Sequence, residues 1–179
     1  ESSGNINLDS EHYLIRIRQE YSALLPPEFV SDPKKYLAQQ GELLKGSKGE
    51  GEYPDEEVVL FKLSDDTEIV AKRVELRKAK EARKEFSILI AARKANLPTA
   101  EPVGFLSGKT EADSSYLLMK KIEGFSGRKF EKHLRDSGKY NEEQVKSIMQ
   151  TVAEKNKDMA ELFRETLNID KRWRIKDTI

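Results

Sequence analysis

The sequence predicts an α+β protein in which a small antiparallel sheet packs against one helix, with further helices on either side. Two stretches rich in β-branched residues, Glu57–Leu63 and Thr67–Val74, are joined by the short polar turn Ser64–Asp66 and indicate an antiparallel hairpin. A helical pattern then runs from Glu81 to about Ala95, and a long apolar stripe at helical spacing begins after Asn141.

The composition excludes several classes of function. The chain has 179 residues, enough for one domain with a substantial core, and its 32 basic and 32 acidic residues give no overall signal for polyanion binding. The absence of cysteine excludes disulfides and cysteine-ligated zinc, and two distant histidines argue against a histidine-rich metal site. No apolar run approaches the roughly 20 residues of a membrane span, and we expect a cytoplasmic protein.

Residues 1–42 are predicted to form an N-terminal helical extension. From Asp9 to about Leu25, apolar residues recur at helical spacing until a proline pair ends the pattern. A second, short helix is predicted from Ser31–Pro33, which offers a cap and a first-turn proline, to Gly41. Packing against the rest of the chain explains such helices, and the alternative is an arm that binds a protein partner.

The remaining strands are predicted on both sides of the central helix. Leu43–Leu44 indicates a short strand, and Leu97–Leu106 indicates extended chain that enters a strand. Tyr116–Ile122 is apolar at its start, which indicates a central strand. After it, Glu123–Gly127 is the best candidate for a boundary, and helices are expected beyond.

Lys72 is the unusual residue of the predicted sheet. A strand that buries Ile69 and Ala71 on one face points Val70 and Lys72 to the other. Such a strand seldom buries a lysine unless an anion meets it, either a helix carboxylate or a phosphate.

The chain resembles the small lobe of the protein-kinase-like superfamily, followed by the start of a large lobe. Within that superfamily, the chain resembles the aminoglycoside-phosphotransferase, RIO-kinase and lipopolysaccharide-kinase relatives. The segments that carry the resemblance are Val70–Lys72, Lys84–Leu89, Leu97–Gly104 and Tyr116–Gly124. The likeness covers residues 43 to about 165 and implies a nucleotide-binding small lobe over 43–122, then a hinge and the opening helices of an incomplete large lobe over 123–179.

The resemblance implies ATP and Mg²⁺ as cofactors and gives roles to a strand lysine and a helix glutamate. In that superfamily the lysine holds the α- and β-phosphates and the glutamate orients it. Lys72 and Glu85 match these positions, and Glu81, one helical turn earlier, is the alternative carboxylate.

A glycine-rich loop and a hinge complete the implied nucleotide pocket. Gly46, Gly49 and Gly51 match the loop that covers the phosphates, although their G-x-x-G-x-G spacing differs from the protein-kinase pattern and an ordinary turn is the alternative. Met119 matches the gatekeeper behind the adenine, and the hinge spans Lys120 to Glu123, with Lys121 inside it.

The implied catalytic loop is incomplete in either register. With Asp170 as the base, Ile175 fills the position of the metal-binding asparagine; with Asp177 there instead, Arg172 replaces the base. No metal ligand is assigned, and His133 is interpreted as part of a solvated helix end. Because the chain also starts at a residue other than Met, we expect a fragment of a longer protein.

Three functions follow as hypotheses. The first is an ATP-binding fragment of a phosphotransferase that acts on a protein or small-molecule hydroxyl, although this fragment alone is expected to be inactive. The second is a non-catalytic pseudokinase or scaffold that binds a partner protein. The third, less favoured because acidic neighbours balance the charge, is nucleic-acid binding through two basic segments, Arg73–Lys84 and Lys171–Arg174.

Overall fold

The structure, a computed structural model, describes residues 4–45, 57–74, 79–110, 113–124 and 127–168. Across these ranges the chain forms a seven-stranded antiparallel sheet and six helices, which confirms the mixed α+β class. The strands are β1 Asn5–Asp9, β2 Tyr13–Arg18, β3 Glu42–Lys45, β4 Val58–Lys62, β5 Glu68–Val74, β6 Pro102–Gly108 and β7 Ser115–Lys120. The helices are α1 Gln19–Ser22, α2 Pro27–Ser31, α3 Pro33–Gln40, α4 Ala79–Lys94, α5 Gly127–Asp136 and α6 Glu142–Leu167.

The strands lie in the order β1-β2-β6-β7-β5-β4-β3, and each neighbouring pair is antiparallel. β7 is the middle strand, as its apolar sequence predicted. β4 and β5 form the predicted hairpin, with Leu60 opposite Val70 and with Asp66 in a left-handed conformation in the turn. β1 and β3 are therefore the two edges of the sheet in the described part of the chain.

One face of the sheet carries the larger apolar core and is covered by α1, α2 and α3. Strand residues such as Ile15, Phe61 and Ile69 are buried on this face. The helices contribute Leu37 and Phe29, whose ring stacks on that of Phe61 with the centroids 4.9 Å apart. Burial of each such side chain stabilises the fold by roughly 1.5–3 kcal/mol, so this core ties the N-terminal segment to the sheet.

The opposite face of the sheet packs against α4. Phe86 and Leu89 of this helix form a second core with Phe105 of β6 and Leu117 of β7. The predicted helix is confirmed, and Asn96 follows its end with a φ of 56°, the left-handed conformation that asparagine tolerates. α4 thus covers the middle of the sheet, leaving β3 and β4 on one side of it and β1 and β2 on the other.

The long helix that the apolar stripe after Asn141 predicts is confirmed as α6. Asn141 and Gln144 form a reciprocal capping box at the start of α6, and the helix ends at Leu167 before a left-handed Asn168. Phe163 of α6 is buried against Ala92 of α4. The long helix α6 therefore packs against α4, which itself packs against the sheet.

The predicted helix over Asp9–Leu25 is wrong. The structure has a hairpin of β1 and β2 over most of this stretch, and α1 is a single turn that follows it. Tyr13, Ile15 and Ile17 are buried, whereas Leu14, which the helical spacing had counted as buried, is 50% exposed. Burial in β2 alternates from residue to residue, as in a strand with one buried face. The segment adopts this conformation because β2 pairs with β6.

The N-terminal region therefore belongs to the same sheet as the rest. Only its second predicted helix is confirmed: it is α3, where the Asp32 side chain accepts a hydrogen bond from the N–H of Lys35 and Gly41 follows the last turn. A purely helical extension over residues 1–42 is not what the structure shows, since β1 and β2 pair with each other and β2 pairs with β6.

Candidate functional site

Lys72 lies on the face of β5 that points towards α4. Ile69 and Ala71 are fully buried on the opposite face, as the alternation of the strand predicted. The side chain of Lys72 is 18% exposed, and its neighbours across the ladder are Val58 and Leu117. An ammonium so largely withdrawn from water requires an anionic partner.

Glu85 of α4 is that partner within the protein. Its Oε1 lies 3.9 Å from the Nζ of Lys72, and the carboxylate side chain is itself 23% exposed. At this distance the two charges attract each other without a direct hydrogen bond between the side chains. The structure thus brings together the two residues that the sequence singled out on separate elements.

The glycine-rich segment lies outside the described residues, but the strands on either side of it define where it joins the sheet. Lys45 ends β3 and is opposite Val58, which is opposite Lys72 in the next strand. With strands about 4.8 Å apart, the main chain at Lys45 lies roughly 10 Å from that at Lys72. Gly46, Gly49 and Gly51, which the resemblance matches to the phosphate-covering loop, themselves lie outside the described residues.

Met119 is placed on the same face as Lys72. It is opposite Val70, two residues from Lys72 along β5, and its partly buried side chain packs against the core under α4. A strip of apolar surface consequently runs from Met119 and Val70 towards the ammonium.

Lys121 is engaged with the sheet through both its main chain and its side chain. Its N–H donates to the carbonyl of Glu68, and its Nζ lies 2.6 Å from Glu68 Oε2 and 3.5 Å from Glu123 Oε1. The hydrogen bond raises the pKa of Lys121 and lowers the pKa of Glu68. The side chain of Lys121 therefore attaches the segment after β7 to β5, a contact that its sequence position did not reveal.

Asp170 and Asp177, the two candidate catalytic residues, lie outside the described residues. The described part of the chain ends at Asn168, directly after α6. Within it, no group of three or more acidic or histidine side chains could hold a metal ion. His133, interpreted from the sequence as a solvated helix residue, lies exposed in the last turn of α5.

Two of the basic residues considered for nucleic-acid binding already have partners. The Nε of Arg73 donates to Ser114 Oγ, and its Nη1 lies 3.5 Å from a carboxylate oxygen of Glu57. Arg83 donates to Ser107 Oγ and stacks over the ring of Phe105. The segment Lys171–Arg174 and residues 77–78 lie outside the described residues.

A cluster around Glu101 was not anticipated from the sequence. Its Oε1 accepts a short hydrogen bond from the Tyr21 hydroxyl and lies 3.5 Å from a guanidinium nitrogen of Arg18, while its Oε2 lies 3.9 Å from Arg93. The carboxylate thus links α1, β2 and the end of α4. Sequence patterns carried no signal for it, because Tyr21 and Arg18 precede Glu101 by about 80 positions.

Comparisons with known proteins found no match for this chain. The chain matches no family model, no curated protein and no solved structure. Within the ranges that the structure describes, no helix is both long and apolar enough to cross a membrane.

Proposed function

We propose that this chain binds ATP on the sheet face that carries Lys72, as the nucleotide-binding part of a kinase-like phosphotransferase. The observation that carries the proposal is the ion pair between Lys72 of β5 and Glu85 of α4. A lysine held by a helix carboxylate at the end of an apolar strip is suited to the α- and β-phosphates of a nucleotide. The parent enzyme would transfer the γ-phosphate to a protein or small-molecule hydroxyl.

The order of elements supports the same proposal. From β3 onward the chain runs through the glycine-rich segment, the hairpin of β4 and β5, the helix α4, and then β6 and β7. This is the order that the resemblance to kinase-like small lobes implies. Residues Lys121 to Gly124 follow β7 and lead to α5 and α6, where a hinge and the start of a large lobe are expected.

The described residues fit a nucleotide better than they fit a metal ion. The apolar strip of Val70 and Met119 offers contact for a base, and the Lys72 ammonium offers a cation for phosphates. Mg²⁺ would arrive with the phosphates, since no cluster of ligands lies in the described part of the chain. In the proposed complex Lys72 neutralises phosphate charge, Glu85 keeps its flexible stem in position, and the sheet excludes water from one side of the base.

A binding-only pseudokinase is the second candidate function. The segment Asp170–Asp177 favours it, since neither register supplies both an aspartate base and a second metal ligand. This second candidate is a non-catalytic scaffold that binds a partner protein, whereas the first requires nucleotide binding at Lys72. They differ in whether the parent protein releases ADP when it is given ATP and a hydroxyl acceptor.

The decisive experiment is thermal unfolding with and without Mg-ATP for the wild type and for Lys72→Ala. At a hundred times the dissociation constant, bound nucleotide stabilises by about 2.7 kcal/mol, which raises the Tm of a chain of this size by roughly 5–10 °C. We expect this shift in the wild type and a binding constant at least about ten-fold weaker in Lys72→Ala.

Lys34→Ala is the matched control, because Lys34 is an exposed lysine of α3 on the opposite side of the sheet. It should keep the full shift. Glu85→Gln should reduce the shift, whereas Glu81→Gln should leave it unchanged if Glu85 is the orienting carboxylate. Equal melting temperatures of the wild type with and without nucleotide would contradict the proposal.

A further inference from the structure

A second concave surface lies on the other flank of α4, away from Lys72. It is a groove of about 450 Å³ between α4 and the hairpin of β1 and β2. In the sheet, β5 lies on one side of β6 and β7, while β1 and β2 lie on the other, so α4 separates this groove from the candidate nucleotide site. The proposed function makes no use of it.

The floor and wall of the groove are largely apolar. Phe86 and Ile90 of α4 form one wall, Phe105 lies in the floor, and Leu14 of β2 forms part of the far side. Leu14 is 50% exposed although it is a large aliphatic residue in the interior of a strand. The cost of leaving this surface in water is the driving force for covering it.

The charge of the groove has one sign. Among the described residues that line it, the charged ones are Arg16 and Arg83, and the other polar ones are asparagines and serines. Arg83 is fixed by its hydrogen bond to Ser107 and by its stacking on Phe105, yet no described carboxylate pairs with its charge. Arg16 is exposed and likewise has no ion-pair partner among the described residues.

An edge strand borders the groove. β1 pairs with β2 on one side only, so in the described part of the chain its other side offers unpaired main-chain groups. Asn5 and Asn7 of this strand line the groove with amide groups that both donate and accept hydrogen bonds. These groups match the alternating donors and acceptors of a peptide backbone.

We propose that this groove is a docking site for a short acidic and apolar peptide segment of a partner protein. Apolar side chains of the peptide pack between Phe86 and Leu14, and its carboxylates pair with Arg16 and Arg83. The groove is concave, with a helix as one wall and a strand edge as the other, and it carries two arginines, of which Arg83 is held by Ser107 and Phe105. This shape suits a chain segment and not the flat surface of a bilayer.

The test is selection of a random short-peptide library on the immobilised full chain, counter-selected on the Arg16→Glu variant. We expect wild-type-dependent sequences that combine aspartate or glutamate with leucine or phenylalanine. For a selected peptide, Arg16→Glu should weaken binding in fluorescence anisotropy by about ten-fold or more, and added salt should weaken wild-type binding. Lys34→Glu, a charge reversal on the other side of the sheet, should leave binding within about two-fold.

Amide hydrogen exchange of the complex locates the peptide. Protection of β1, β2 and the Arg83–Ile90 part of α4 is expected. The proposal is overturned if no peptide depends on the wild-type groove, if the selected peptides lack acidic residues, or if protection falls on α2 and α3 instead. Binding of the chain to anionic vesicles that Arg16→Glu abolishes, without peptide binding, would identify a membrane as the occupant and overturn it too.

Discussion

Two buried tyrosines of the same core differ in what their hydroxyl groups contact. The Tyr21 hydroxyl donates to the carboxylate of Glu101, and burial followed by this hydrogen bond raises the pKa of Tyr21. The Tyr13 hydroxyl is fully buried and has no hydrogen-bond partner among the described residues. Burial raises the pKa of Tyr13 as well. The same substitution should therefore have different effects at the two positions.

Tyr21→Phe should destabilise the fold by about 1.5–3 kcal/mol, the range for a lost hydrogen bond to a charged group. The substitution leaves the Glu101 carboxylate with Arg18 and Arg93 at longer distances and removes its shortest contact. Urea unfolding at neutral pH measures the change. A free energy of unfolding equal to that of the wild type would show that the carboxylate finds an equivalent partner in water.

Tyr13→Phe should leave the free energy of unfolding within about 1 kcal/mol of the wild type, on the stabilising side. Burial of a hydroxyl without a hydrogen-bond partner has a desolvation penalty, and phenylalanine has no hydroxyl and so lacks this penalty. The measurement is the same urea titration, so each variant is the control for the other. A loss as large as that of Tyr21→Phe would mean that the Tyr13 hydroxyl has a partner outside the described residues.

For single residues, the sequence predicted the face on which a side chain lies better than it predicted the residue that the side chain contacts. The side on which Lys72 lies follows from the alternation of β5, and the resemblance supplied Glu85 as its partner. The attachment of Lys121 to Glu68 could not be predicted, because it depends on the register of β5 against β7. The register of two strands is set by the whole sheet, so neither Lys121 nor Glu68 carries a local sequence signal for it.

The junction of β2 and β6 depends on a glycine. Gly104 is opposite Ile17, and a Cβ at this position would lie 2.6 Å from the carbonyl oxygen of Arg16 and 3.3 Å from the Cα of Ile17. Both contacts are with main-chain atoms, which cannot rotate away. The absence of a side chain thus lets the N-terminal hairpin join the central strands.

Gly104→Ala should destabilise the protein by about 1–3 kcal/mol, the usual cost of overpacking, and should increase amide exchange in β2. Gly4→Ala is the matched control, since the nearest atom to a Cβ there is a side-chain oxygen of Gln19 at 3.8 Å. Unfolding free energies of both variants check the prediction. Equal values for the two variants would show that β2 can move away from β6 without loss.

Predictions of whole elements succeeded where the local signal was unambiguous. The polar turn Ser64–Asp66 predicted the hairpin of β4 and β5, and the apolar stripe after Asn141 predicted α6. The stretch Asp9–Leu25 satisfied both a helical and an alternating pattern. The strand conformation is selected by tertiary pairing, because β2 pairs with β6 about 90 residues later along the chain. No local propensity encodes that pairing.

The whole sheet is one structure from β1 to β3, and its larger core depends on the N-terminal segment. The segment up to Gly41 contributes buried side chains that cover one face, among them Tyr13, Ile15, Ile17, Phe29 and Leu37. At roughly 1.5–3 kcal/mol each, these five contribute about 8–15 kcal/mol before entropy is counted. That sum is comparable to the whole stability of a typical domain.

A variant that begins at Glu42 should therefore lose cooperative unfolding, although it keeps every residue proposed to contact ATP. Its sheet would expose Val59, Phe61 and Ile69, so we expect poor solubility, binding of a hydrophobic dye and no sharp thermal transition. Adding the separate peptide 1–41 should restore part of the transition, because the lost contacts are non-covalent. A truncated chain that unfolds cooperatively at the wild-type midpoint would show instead that the stability of the sheet does not depend on the N-terminal region.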